Sequence, residues 1–155
     1  MCKIEKKTQF LLDYPYAVLN DTAISAIIDL DFVRCSEKSE VQGHFLDLSV
    51  SADVKIKPKG TALIFTEQHF DMPPYITGQI SLRSFYARMF LDQINSVQIK
   101  AGWRGFLLLE LVNHGDKTVK INQGDKVAQV FFTKVPKCER AYSGKYQDQK
   151  NEVEK

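Results

Sequence analysis

Residues 97–115, VQIKAGWRGFLLLELVNHG, hold one carboxylate, Glu110, inside an apolar run. Strict alternation from Gly105 onward turns Glu110 to the same face as Phe106, Leu108 and Val112. Burying an unpaired carboxylate is costly or raises its pKa, so a glutamate kept in such a strand has a partner, a use, or simply a wet face. A carboxylate held away from bulk water is of the kind that can serve as a general acid or base.

A second group lies upstream in SLRSFYAR, where Arg83, Ser84 and Arg88 open a presumed helix. Free amides at a helix start, a hydroxyl and two forked guanidiniums together suit a di- or triphosphate. Solvated arginines on a short helix are the ordinary alternative. YSGKYQDQ, at 142–149, has a lysine and a glycine but lacks the full phosphate-loop spacing and has no strand leading into a helix, so a P-loop is excluded. His44, His69 and His114 are too scattered to suggest ligand spacing, and no zinc-deaminase pattern of H-x-E with P-C-x-x-C occurs. No protein-bound metal is expected.

The elements that must position these residues are mostly strands. DVKIKPKGTALIFTEQHF reads as two strands about a tight turn at Pro58, Lys59 and Gly60. Pro73 and Pro74 then break any helix before an extended stretch from Tyr75 to Leu82. After LLLELV come a turn at His114, Gly115 and Asp116, a strand through Val119 and Ile121, a turn at Gln123, Gly124 and Asp125, and a strand from Lys126 to Val135. This regular spacing predicts an all-β fold, an antiparallel jelly-roll-like barrel or sandwich. Helix is expected chiefly over residues 81–94, where Leu82, Tyr86, Met89 and Phe90 recur at helical spacing and Ser84 can cap a first turn. The first 20 or so residues could add a second short helix. The polar, lysine-rich stretch from about residue 140 to 155 is expected to be a flexible tail unless something binds it.

A chain of 155 residues, 44% hydrophobic and 26% charged, has the size of a single globular domain spanning 1–155. A net charge of +2, with the cations scattered among acids, argues against nucleic acid as a partner. Cys2, Cys35 and Cys138 are odd in number and far apart, which suggests free thiols in a cytoplasmic setting. No apolar stretch of about 18 residues suggests a membrane span.

The order RSFYAR, IKAGWRGFLLLELVNHG, INQGDKVAQVFF and YSGKYQDQ resembles the deoxycytidine triphosphate (dCTP) deaminases, members of one superfamily with the trimeric dUTPases. That family carries R-S-S-x-x-R, then I-D-x-G-[WF]-x-G with a glutamate a few residues on, then G-x-x-[IV]-[AG]-Q, and a closing K-Y-x-x-Q. The resemblance covers about residues 54–150, and IIDLDF near Asp29 is similar to the family's early A-x-x-D-L segment. It implies a dUTPase-type distorted barrel with one or two short helices, and a homotrimer whose sites are shared between chains. It further implies a substrate of dCTP, or alternatively dUTP or dTTP, that brings its own Mg2+. Carried over, Arg83, Ser84 and Arg88 match the triphosphate positions and Glu110 the water-activating glutamate. Leu108 and Leu109 fall where the backbone lines the base pocket, and Tyr142, Lys145 and Gln149 match the tail that closes over the nucleotide.

The chain also departs from that pattern. Lys100 stands where the family has the aspartate of I-D-x-G, and Phe85 replaces the second serine of the phosphate motif. If Lys100 points into the site it can pair with Glu110 and lower its pKa, or instead reach a phosphate. Residues 90–99 are one residue short of the usual length, so Gln93 and Ser96 are only approximate equivalents of pocket residues that are commonly His and Ala. The expected activity is hydrolysis of dCTP to dUTP and ammonia. The alternatives are a catalytically impaired nucleotide-binding member and a dUTP diphosphatase.

Overall fold

A computed structural model describes residues 2–35, 39–94 and 98–152. The chain begins with α1 (Lys3–Asp13) and α2 (Asp21–Asp29), then β1 (Val33–Arg34), β2 (Val41–Gln42), β3 (Phe45–Ser49) and β4 (Val54–Ile56). The long strand β5 (Thr61–Asp71) and β6 (Ile76–Leu82) follow, then α3 (Ser84–Ala87), β7 (Leu91–Gln93) and β8 (Gln98–Ile99). Finally come β9 (Arg104–Asn113), β10 (Val119–Ile121) and β11 (Lys126–Lys134). Among the described residues the strands form a four-stranded sheet β1-β5-β9-β7, a five-stranded sheet β2-β3-β11-β6-β8, and the pair β10-β4. All these pairings are antiparallel, as the turn spacing predicted. No helix among the described residues is long and apolar enough to cross a membrane.

Both larger sheets and α2 feed one apolar core. Leu46, Leu48, Ile80, Val130 and Phe132 come from the five-stranded sheet, and Ile64, Phe70, Leu109 and Leu111 from the four-stranded one. Helix α2 forms because Asn20 caps it, its side-chain oxygen accepting the Ala23 N–H at 3.0 Å, while Ala23, Ile24, Ala26 and Ile27 turn inward. The strand β4 is not the hairpin partner of β5, as the tight turn had suggested. It pairs with β10 (Val119 opposite Ile56), and β5 pairs with β1 and β9, so the Pro58–Gly60 turn connects two sheets.

The helix expected over 81–94 shrinks to the single turn of α3, and Leu91 to Gln93 become strand β7 beside β9. Ser84 does not cap it: Arg83 is the N-cap residue and Ser84 the first helical residue, with no side-chain cap hydrogen bond. Only Tyr86 turns inward, whereas Met89 and Phe90 are 39% and 69% exposed. The physical stop is Phe90, held at φ +60°, with its carbonyl accepting the His114 N–H at 2.9 Å. An L-residue in that left-handed region carries strain of about 1–2 kcal/mol. The Phe90 ring gains little from packing to offset it. Phe90→Asn, whose short polar side chain tolerates the same backbone, should stabilise the fold by about 1 kcal/mol, read as a rise of roughly 2–4 °C in a thermal melt.

On the four-stranded sheet His69 lies opposite both Arg34 and Phe106. Its Nδ1 accepts a hydrogen bond from the Arg34 guanidinium at 2.8 Å, so the ring is the neutral tautomer protonated on Nε2. Burial first, and then the Arg34 charge, hold its pKa below the ordinary 6.5. The folded chain therefore binds fewer protons here than the unfolded chain. Stability should decline as pH falls below about 6.5, and His69→Gln should remove that part of the decline in melts recorded between pH 7.5 and 5.5.

Candidate active site

Strand β9 is built as its sequence alternates. Leu107, Leu109 and Leu111 are buried, while Phe106, Leu108, Glu110 and Val112 share a half-exposed face. Glu110 thus lies at the boundary between core and solvent, opposite Leu63 of β5, which is 52% exposed. Its own carbonyl accepts the Ile94 N–H at 2.9 Å, and the Phe106 N–H donates to the Gln149 carbonyl at 2.9 Å. Even-numbered residues of β9 therefore direct their backbone groups away from β5, and Leu108 lies between those two anchors. On this side opens a cavity of about 610 Å3, bordered by Lys100, Trp103, Leu107, Leu108, Glu110, Tyr142, Tyr146 and Gln149 among others.

Five of the residues singled out in the sequence meet in this cavity: Glu110, Lys100, Leu108, Tyr142 and Gln149. Lys100 does not pair with Glu110. Its amine lies 5.5 Å from the centroid of the Tyr142 ring, and no ion pair joins it to a carboxylate among the described residues. The Leu109 side chain is fully buried in the core, because odd positions of β9 face inward. Lys145 stands over the Tyr146 ring and borders a neighbouring cavity of about 680 Å3 with Leu108 and Gln149. Ser96 lies outside the described residues.

The stretch expected to be a flexible tail has a defined position along β9. Tyr142 N–H donates to the Ala101 carbonyl at 3.0 Å, Trp103 Nε1 to the Tyr146 carbonyl at 2.8 Å, and Asp148 N–H to the Arg104 carbonyl at 2.9 Å. Gln149 then bridges Gly105 in parallel, and Arg104 pairs with Asp148. The segment is held by backbone groups and one indole, which a count of polar side chains does not register. The two glycines of GWRG make room for it. A Cβ on Gly102 would meet the Cβ of Ala141 at 2.5 Å, and one on Gly105 would lie 2.7 Å from the Gln149 nitrogen.

Arg83, Ser84 and Arg88 do not line the Glu110 cavity of their own chain. They lie on the one-turn helix α3, with Arg88 at its far end, so an extended helix dipole does not unite them. Arg83 is fixed by Asp47 of β3, whose Oδ2 accepts from Nη1 at 2.7 Å, and Lys126 approaches the same oxygen at 3.5 Å. Tyr86 secures α3 from below, donating to Asp125 at 3.2 Å; burial and that carboxylate push its phenol up to about 12. Asp29 belongs to the IIDLDF segment compared with the family's A-x-x-D-L. Asp29 ends α2 and pairs with Lys7 of α1, whereas Asp47 grips the arginine of the phosphate motif. Sequence reading missed Asp47, Trp103 and Tyr146; a carboxylate among the buried β3 residues FLDLS was the available signal.

With this geometry in view, the similarity to known proteins is specific. The pattern of the dCTP deaminase-like family matches residues 26–135. A dUMP-forming dCTP deaminase of Aquifex aeolicus is 30% identical over 166 residues, spanning 88% of this chain and 92% of that protein. In structure, a 2'-deoxycytidine 5'-triphosphate deaminase from Agrobacterium tumefaciens aligns with TM-score 0.66 at 14% identity, over 77% of this chain and 50% of that one. The EIAV dUTPase aligns with TM-score 0.58 at 22% identity, over 73% and 96%. The chain belongs to the dCTP deaminase-like family, and its fold is of the all-β dUTPase type.

Because the tail rests on Gly105, that glycine offers a direct test of its docking. Gly105→Ala should displace residues 142–152, giving faster proteolytic cleavage in the tail and a change in Trp103 fluorescence, and the strain of alanine at φ +146° should also lower the thermal melt.

Proposed function

We propose that this chain hydrolyses dCTP to dUTP and ammonia, with Glu110 as the general acid–base. The observation that carries the reading is the placement of this single carboxylate on the leucine-lined wall of a cavity large enough for a nucleoside, in a chain of this family. Water adds at C4 of the cytosine ring as Glu110 accepts its proton. The carboxyl passes that proton to N3 of the ring and then carries the proton of the new hydroxyl to the amino group; the C4–N bond breaks, ammonia leaves, and a uracil with a C4 carbonyl and an N3 proton remains. Leu107, Leu108 and Trp103 limit water around the carboxylate, and Tyr142, Tyr146 and Gln149 close the same side.

The triphosphate is assigned to Arg83, Ser84 and Arg88, with Lys145 from the tail. Since α3 lies outside the Glu110 cavity of its own chain, the reading requires a neighbouring copy to bring the two halves together. A homotrimer is the assembly proposed, with the half-exposed face of Leu63, Leu108 and Val112 beside its seam. Magnesium is assigned to the nucleotide as part of the substrate. Among the described residues no three His, Cys, Asp or Glu side chains are grouped so as to hold an ion.

Two other readings have specific support. The Aquifex relative is named as dUMP-forming, so further hydrolysis of dUTP is one. A nucleotide-binding member with little turnover is the other, favoured by Lys100, an amine where the resembling family has a carboxylate. Incubation with dCTP and magnesium separates the three: dUTP and ammonia support deamination, dUMP with pyrophosphate supports the extended reaction, and tight binding without product supports the last. Under the leading reading, Glu110→Gln should lower kcat by about 10^2- to 10^4-fold while leaving dCTP affinity in calorimetry nearly unchanged. Full activity in that variant would remove Glu110 from the mechanism.

A further inference from the structure

On the other side of the Lys100–Tyr142 wall lies a second cavity of about 450 Å3, floored by β6 and β11 of the five-stranded sheet. It is bordered by Lys100, Arg140 and Tyr142, by the Phe131 ring, by the Gln79 amide and by Cys138, and no acidic residue lines it. Neither Lys100 nor Arg140 forms an ion pair among the described residues. Two cations without an ion-pair partner among the described residues border this one concavity, and low-dielectric walls concentrate the positive potential they raise there. A guanidinium fork beside a compact ammonium is donor chemistry matched to phosphate oxygens, and the volume falls within the roughly 300–1,000 Å3 usual for small-molecule sites.

We infer that this cavity binds a small phosphorylated anion between Lys100 and Arg140, as a site separate from the one that holds Glu110. The anion takes the guanidinium of Arg140 and the amine of Lys100 as donors, and the Phe131 and Tyr142 rings wall it in. Lys100 and Tyr142 border both cavities, whereas Arg140 borders only this one. An occupant here therefore fixes the amine that also edges the Glu110 cavity. The site does not depend on the deamination reading, and Arg140 takes no part in the machinery assigned to that reaction.

Cys138 supplies a local reporter. In the whole chain, inorganic pyrophosphate and dUMP serve as probes, and alkylation of Cys138 is followed by mass spectrometry with Cys2 as the internal control. Pyrophosphate should slow Cys138 alkylation severalfold without affecting Cys2, and the protection should persist in Arg83→Gln and vanish in Arg140→Gln. Calorimetry in the Arg83→Gln background gives a readout independent of thiol reactivity: adding Arg140→Gln should weaken pyrophosphate about tenfold, the scale of one lost charged hydrogen bond. The Arg140→Gln chain should keep the dCTP affinity and turnover of the unaltered protein. Protection by both probes identifies the phosphate group itself as the ligand, and protection by dUMP alone identifies a nucleotide. Absence of binding by both probes in calorimetry, or pyrophosphate affinity and Cys138 protection undiminished by Arg140→Gln, overturns the assignment.

Discussion

The pairing of β5 with β9 is the constraint on which the rest of the site depends. Leu109 and Leu111 are buried within it, and each contributes about 1.5–3 kcal/mol by leaving water. A slip of one residue would turn both outward and send Glu110 into the apolar core. The hydrophobic loss and the cost of an unpaired buried carboxylate then act in the same direction, so this register is specified from both faces of the strand. The position of Glu110 is thus a consequence of packing behind it. A carboxylate placed by the core is preorganised, because no loop has to be ordered to aim it.

That strand also organises what lies in front of it. Among the described residues strand β7 pairs with β9 from Leu111 to Asn113, and the tail takes up β9 again at Gly105. Between them the sheet edge is the wall of the Glu110 cavity. The tail anchors are short-range and mostly backbone, with an exposed Arg104–Asp148 pair that adds little by itself. Docking therefore depends on fit, and the glycines at 102 and 105 provide it, since both adopt positive φ and leave space where the tail crosses.

Much of this was legible in the residues. Turn signals located β5 and β11, and period-2 alternation put Glu110 on one face of β9 with Phe106, Leu108 and Val112. The same reasoning failed where tertiary partners decide. Leu82, Tyr86, Met89 and Phe90 show helical spacing, but His114 takes the Phe90 carbonyl and β9 captures the next three residues, so the helix ends after one turn. The turn at Pro58–Gly60 was recognised, yet no local signal told that β4 would find β10, more than sixty residues away, in place of β5. Asp47 escaped notice because its meaning lies in Arg83, thirty-six positions further on. Gln93 shows a different limit: its amide is buried in β7 with neither polar atom hydrogen-bonded, a fact no sequence pattern announces.

The Asp47–Arg83 contact bears most directly on how a triphosphate could be gripped. A carboxylate only 5% exposed needs a cation, and a guanidinium engaged by one has fewer donors to offer a ligand. Arg83 carries five N–H donors, of which the structure commits one, on Nη1, to Asp47, and its side chain is one-third exposed. The carboxylate therefore fixes the plane of the guanidinium while leaving donors facing solvent, so less side-chain entropy remains to be lost when an anion arrives. Lys126 approaches Asp47 at 3.5 Å but is held by Glu40 at 2.5 Å, so these charges balance and the uncommitted guanidinium donors of Arg83 are what the cluster offers an anion. An arginine held in this way is better suited to a charged ligand than a free one.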